Sequence, residues 1–324
     1  MPKATVVQLK DMVDAETIAK SGLRLSLDKI RDFQVRGDDV FLITYPKSGT
    51  TWMKEIVPFI LNGGNIDEIK DTPADVRVPY LEFALSSDDD ERVKQIQSNF
   101  NVPKGFSLDD LKPPRTICTH LRREFLPRGI EEKRAKVIYV ARNPKDIAVS
   151  TYYFSKMLME KGLGCRSSEP YGDFNDLLHD FLEAEYRTQT VVYDGSKWHE
   201  HVLEWWNRRH EGNVLFLKYE DMLQDIKASL RQISEFLSAE LSTSAVEKIS
   251  NHCSFKTMKK NRVALKGDYC EKILGGKSEE TSPFVRKGGA GGWKNYFTVA
   301  QNEMFDRHYR EWMKDSDLEM TFEL

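Results

Sequence analysis

Lys47, Ser48, Gly49, Thr50 and Thr51 follow one another in the chain, joining a mobile cation and three hydroxyl groups to a glycine that lets backbone approach a ligand closely. Such a set grips an anion. His120 adds an imidazole that can take a proton near neutral pH. Further along, Arg142 with Ser150, and Arg286 with Lys287 and Gly288, bring a planar donor fork, another hydroxyl and two cations beside exposed amides. Each group suits phosphate or a related oxyanion, and only His120 suits proton transfer.

These side chains need elements to aim them. Val40-Phe41-Leu42-Ile43 is a β-branched and aromatic run of the buried-strand kind, and Pro46 and Gly49 punctuate the loop after it. From Thr50 onward Trp52, Met53, Ile56, Val57, Ile60 and Leu61 recur at helical spacing, which predicts strand, loop and helix N-terminus in direct succession. The first turn of a helix offers amides without intrahelical acceptors, and its dipole favours negative charge. The loop is not a Walker A motif, whose lysine follows the last of two spaced glycines. Here Lys47 precedes Gly49 and no upstream glycine serves.

Thr116-Ile117-Cys118-Thr119 reads as a second strand ending at His120, and Lys136 to Ala141 as a third, running into Arg142-Asn143-Pro144-Lys145-Asp146 and a helix through Ile147, Val149, Ser150 and Tyr153. Val214 to Tyr219 reads as a fourth, followed by one amphipathic helix from Met222 to Leu237. Strands alternating with helices predict an α/β fold with a central parallel sheet flanked by helices. A length of 324 residues with 40% hydrophobic composition can bury a large core, and one domain over 1–324 is expected.

Tyr45-Pro46-Lys47-Ser48-Gly49-Thr50-Thr51-Trp52 resembles the 5′-phosphosulfate loop of the cytosolic sulfotransferases, which use 3′-phosphoadenosine 5′-phosphosulfate (PAPS). Thr119-His120-Leu121 matches that family's catalytic histidine segment, and Arg142 to Asp146 with Ala148-Val149-Ser150 resembles its 3′-phosphate segment. Cys253-Ser254-Phe255-Lys256-Thr257-Met258 and Phe284-Val285-Arg286-Lys287-Gly288 resemble segments that pack around and close over PAPS, and Tyr193 resembles an adenine-side residue in a segment with one additional residue. The resemblance covers residues 40 to 303 and implies a P-loop-like fold that transfers a sulfuryl group to a hydroxyl or amine of a small-molecule acceptor, releasing adenosine 3′,5′-bisphosphate (PAP).

On that resemblance His120 is the general base, Lys47 steadies the leaving bridging oxygen and Ser150 assists. The donor site comprises Lys47, Ser48, Gly49, Thr50, Thr51, Trp52 (stacked on adenine), Arg142, Ser150, Tyr193, Cys253, Ser254, Phe255, Met258, Phe284, Arg286, Lys287 and Gly288. Tyr80, Phe83 and Phe106 are expected at the acceptor pocket, with residues 1–36 packed on or near that side. Two positions depart from the pattern: Cys118 stands where many members carry lysine, and Cys253 where threonine is frequent. Lys294 to Glu303 resembles a short family segment that pairs two copies as a homodimer, with Val299 at its centre.

A net charge of −3 argues against a general nucleic-acid binder. No apolar run suits a signal peptide or a membrane span, so a cytoplasmic protein is expected. Cys118, Cys165, Cys253 and Cys270 lack CxxC spacing and should be reduced thiols. Cys118 with His120 is two ligands short of a metal site, and His199 and His201 fall on different helix faces, so no metal is expected. Asp88 to Glu91 reads as a solvated face. A P-loop kinase is disfavoured by the position of Lys47; a noncatalytic nucleotide-binding protein on the same fold is the reading from another class.

Overall fold

The computed structural model describes residues 27–85, 106–132, 135–160, 172–183, 197–261 and 287–324. β1 (Val40–Thr44) is buried at every position, as an uninterrupted apolar run in a covered parallel sheet should be. It pairs in parallel with β2 (Thr116–Thr119) on one side and β3 (Lys136–Ala141) on the other. β4 (Val214–Lys218) adds in parallel to β3, giving the order β2-β1-β3-β4. From β1 the chain passes first to one side and then to the other. The carboxyl ends of β1 and β3 therefore flank a topological switch point, where open α/β sheets form their ligand crevice.

Register decides which residues meet there. Ile43 lies opposite Thr119, so Thr44 is level with His120; Ala141 lies opposite Lys218, so Arg142 is level with Tyr219. Tyr45, His120, Arg142 and Tyr219 are each the first residue past a strand, all on one edge of the sheet.

α1 (Thr50–Leu61) follows the loop after β1, and α2 (Pro144–Glu160) follows the turn after β3. α3 (Phe174–Glu183) and α4 (Trp198–Trp206) precede β4. The single helix expected over 222–237 is in fact two, α5 (Tyr219–Gln224) and α6 (Ile226–Leu237). Asp225 divides them because its carboxylate caps α6, accepting the Ala228 N–H at 2.9 Å. α7 (Thr243–His252) and α8 (Val299–Met313) complete the frame, α8 opened by a capping box between Thr298 and Gln301. Trp198, Val202 and Trp205 of α4 are buried, a core face as their spacing implies. Of the N-terminal segment, the helix Leu27–Arg31 buries Ile30, and Val35 packs so closely on Gly129 that a Cβ there would fall 2.5 Å from the valine.

Candidate active site

The loop after β1 is tightened by a bond from the Ser48 N–H to the Tyr45 carbonyl (3.1 Å), with Lys47 at φ 70° and Gly49 at φ 110°. Glycine is required twice at position 49. The left-handed backbone disfavours a side chain, and a Cβ would meet the Tyr219 ring at 2.9 Å. Trp52 and Met53 donate back to the Gly49 carbonyl and start α1, leaving the first-turn amides at the loop. The Lys47 ammonium rests 3.9 Å over the Phe154 ring of α2.

His120 is fixed from three directions. Its Nδ1 lies 2.7 Å from the Thr44 carbonyl, which can only accept, so Nδ1 carries the hydrogen and Nε2 keeps the lone pair. The backbone N–H of His120 donates to Glu82 Oε1 (2.9 Å), and its carbonyl accepts from His201 Nε2 (3.2 Å), while His201 Nδ1 takes the Tyr139 hydroxyl hydrogen (2.8 Å). Burial depresses the His120 pKa to about 3, against the favourable Thr44 bond, and the nearby positive charges of Lys54 and Lys47 add to the effect. The imidazole is therefore neutral at physiological pH. Burial also raises Glu82 to about 7, partly offset by the His120 N–H.

On the other flank Arg142 lies 4.5 Å over the Tyr219 ring and bridges two loops, donating to the Lys47 carbonyl (3.0 Å) and the Gly289 carbonyl (3.2 Å). Its Nε is buried without a partner among the described residues, an unused donor. Asp146 is a carboxylate on the wall of this cationic cleft, but both oxygens are taken up: one by the Gly291 N–H (2.8 Å) and Asn143 Nδ2 (3.0 Å), the other by the Trp293 N–H (2.9 Å). Gly288, at φ 62°, lies on the Phe255 ring, where a Cβ would sit 1.9 Å from a ring carbon. Trp52 Nε1 donates to the Cys253 carbonyl at 2.8 Å, and its ring meets Tyr219 edge-on at 5.4 Å.

One cleft thus gathers Lys47, Gly49, Thr50, Thr51, Trp52, His120, Arg142, Ser150, Cys253, Phe255, Met258, Lys287 and Gly288, with Tyr80 on its wall. Ser48 is fully buried behind the loop, and the Ser254 hydroxyl turns inward to cap the short helix Phe255–Met258, accepting the Thr257 N–H at 3.3 Å. Phe83 is buried against Tyr80, and Phe106 packs on the core. Tyr193, Phe284 and Arg286 lie outside the described residues. Among the described residues no group of three or more His, Cys, Asp or Glu side chains is placed to hold a metal ion. The groups present fit PAPS: cations and first-turn amides for its anions, two glycines that let the loops lie against the Tyr219 and Phe255 rings, and a guanidinium N–H without a partner among the described residues.

Motif reading missed Thr44, Glu82, His201 and Asp146. Thr44 was recoverable in principle, since it ends the strand that feeds the loop. Glu82 and His201 carry no local signal.

The sequence model of the sulfotransferase domain matches residues 37–317. Rat sulfotransferase 1A1 is 38% identical over 300 residues, covering 92% of each chain, and human sulfotransferase 1E1 is 38% identical over 298 residues, covering 92% of this chain and 91% of the relative. The solved structure of retinol dehydratase with retinol and PAP superposes with a TM-score of 0.74 at 28% identity, covering 90% of this chain and 86% of that one. With its parallel sheet, its anion loop and its histidine in place, and with these relatives along nearly its whole length, the chain belongs to the sulfotransferase family.

Proposed function

We propose that the chain transfers a sulfuryl group from PAPS to a hydroxyl or amine of a small-molecule acceptor, with His120 as general base and Lys47 at the leaving oxygen. The observation that carries this reading is the tautomer of His120: Nδ1 is committed to Thr44, so Nε2 is the basic nitrogen, on the cleft that also holds Lys47. Bound PAPS supplies a sulfuryl group joined to its 5′-phosphate through a bridging oxygen. His120 Nε2 takes the acceptor's proton as the acceptor oxygen or nitrogen bonds to sulfur. The resulting imidazolium keeps its Nδ1–H on Thr44. Lys47 neutralises the negative charge that the breaking sulfur–oxygen bond leaves on PAP. Arg142, Ser150 and Lys287 hold the 3′-phosphate, and Trp52 and Phe255 cover the nucleoside. Incubating labelled PAPS with phenols, steroids, other alcohols and amines, and weighing the products, tests the reading. Sulfated product supports transfer, a dehydrated product indicates elimination of the kind the retinol dehydratase neighbour is named for, and PAPS binding without turnover would refute catalysis.

The same reading includes a homodimer through residues 294–303, supported by Val299, which is 76% exposed at the start of α8. In the single chain Lys294 pairs with Glu323, so pairing with a partner's Glu303 requires an exchange. It also keeps the N-terminal segment 1–36, of which residues 27–36 are described, on or near the acceptor side, and the enzyme in the cytoplasm, supported by the free buried thiols of Cys118 and Cys253. Among the described residues no helix is long and apolar enough to cross a membrane.

A further inference from the structure

Two consecutive residues of α1, Lys54 and Glu55, point charges into the protein interior. Lys54 Nζ pairs with Asp75 Oδ1 at 2.5 Å, both side chains 3% exposed, and Glu55 pairs with Arg77. These pairs fasten α1, which begins at the donor loop, to the short helix Ala74–Arg77. A buried ion pair is weak evidence for stability, because desolvation offsets much of the attraction and apolar side chains of similar volume commonly do as well. The position of the ammonium suggests another use. It lies 3.8 Å over the ring of Tyr80 and beside the thiol of Cys118. Lys54 is not itself on the cleft wall, whereas Tyr80 is, with its ring centroid 5.3 Å from that of His120. Tyr80 also bridges in parallel to Cys118, and two residues later Glu82 holds the His120 amide.

We infer that Lys54 is a positioning residue for the acceptor: its ammonium, braced by Asp75, fixes the Tyr80 ring against His120 and so sets the wall on which the acceptor lies. The inference rests on the sulfotransferase reading of the cleft and adds to it a residue on the donor loop's own helix. Cys118 cannot serve in its place, because burial raises its thiol to about 12 and keeps it uncharged. A desolvated cation over an aromatic ring is held strongly enough that losing it should weaken acceptor binding on the order of tenfold.

The test uses 2-naphthol as a flat acceptor probe. Its dissociation constant on the PAP-loaded protein, its kcat and KM with PAPS, and PAP affinity are measured for wild type, K54M/D75N, Y80L and the triple variant. K54M/D75N replaces the pair with neutral side chains of similar size. It should fold, hold PAP within twofold of wild type, and bind naphthol about tenfold more weakly, with KM moving more than kcat. In the Y80L background the same pair of changes should add less than twofold, because the ring through which Lys54 acts is gone. Unchanged naphthol binding in folded K54M/D75N, or full additivity with Y80L, would overturn the inference. If the double variant does not fold, K54Q alone decides by the same naphthol measurement. A wild-type protein that holds PAP but binds and sulfates neither naphthol nor any steroid alcohol or phenol tried would remove the acceptor reading and this inference with it. That failure shows before any variant is made.

Discussion

Glu82→Gln should stabilise this enzyme, and by an amount that grows with pH. The Glu82 carboxyl is buried and accepts the His120 N–H, and burial lifts its pKa from the ordinary 4.5 to about 7. Between those values the folded state keeps a proton that the unfolded state has lost, so stability falls as pH rises, by about 1.4 kcal/mol per unit. Above pH 7 the whole deficit is present, about 3 kcal/mol on an order-of-magnitude basis. Glutamine keeps a carbonyl for His120 and cannot ionise. Urea unfolding of both proteins should therefore show a difference under about 1 kcal/mol near pH 5, widening to about 3 kcal/mol near pH 8. His120 acts in the opposite sense. Its folded pKa is depressed to about 3, so below 6.5 the unfolded state binds the extra proton and stability drops as pH falls. In wild type the two slopes oppose one another between pH 4.5 and 6.5, and removing Glu82 should uncover the histidine's. A wild-type-minus-variant difference that does not change with pH would refute this account of the buried carboxyl.

His120→Ala should lower turnover by about 10²–10⁴-fold while calorimetry finds PAP affinity nearly unchanged, since the base role proposed for it is on the acceptor side. The pH profile of kcat/KM should show no acid limb near 6.5, because His120 stays neutral down to about pH 3; a limb at the ordinary histidine value would count against its environment as described. Arg142→Ala should weaken PAP more than an analogue lacking the 3′-phosphate, and equal losses would detach Arg142 from that phosphate. Val299→Glu should shift a dimer toward monomer in sedimentation across a dilution series, with PAP binding intact; a wild-type chain that is monomeric throughout would remove the dimer.

Part of the cleft lining was legible because it comes from contiguous segments that follow strands: Lys47 to Trp52 after β1, and Arg142 to Ser150 after β3. A strand followed by a loop and a helix announces itself in hydrophobic spacing, and chemistry at the junction rides with it. Two of the groups that hold His120 were not legible: Glu82, on the short helix Leu81–Ala84, and His201, on α4, reach it only through tertiary packing, which no local pattern encodes. Asp146 sits inside a recognised motif, yet its work is on amides of residues 291 and 293, far along the chain. The break at Asp225 had its signal, an aspartate just before a fresh apolar period, but continuous amphipathicity on both sides concealed it.

Tyr219 bears on how such a sequence can drift. Its ring is what a side chain at Gly49 would strike, what Arg142 covers and what Trp52 abuts. Two segments recognised separately along the chain, the loop from Tyr45 to Trp52 and the turn at Arg142, are therefore tied to one aromatic residue that belongs to neither. Lineages and laboratory libraries that vary the loop, the arginine or the tryptophan one at a time should find each nearly immutable. Combinations that also reshape position 219 should be tolerated more often than the single effects predict, because neighbours sharing one contact do not contribute independently. A search for altered donor preference in this scaffold would begin by randomising 219 together with 52 and 142, and would leave 49 alone, where the backbone itself forbids a side chain.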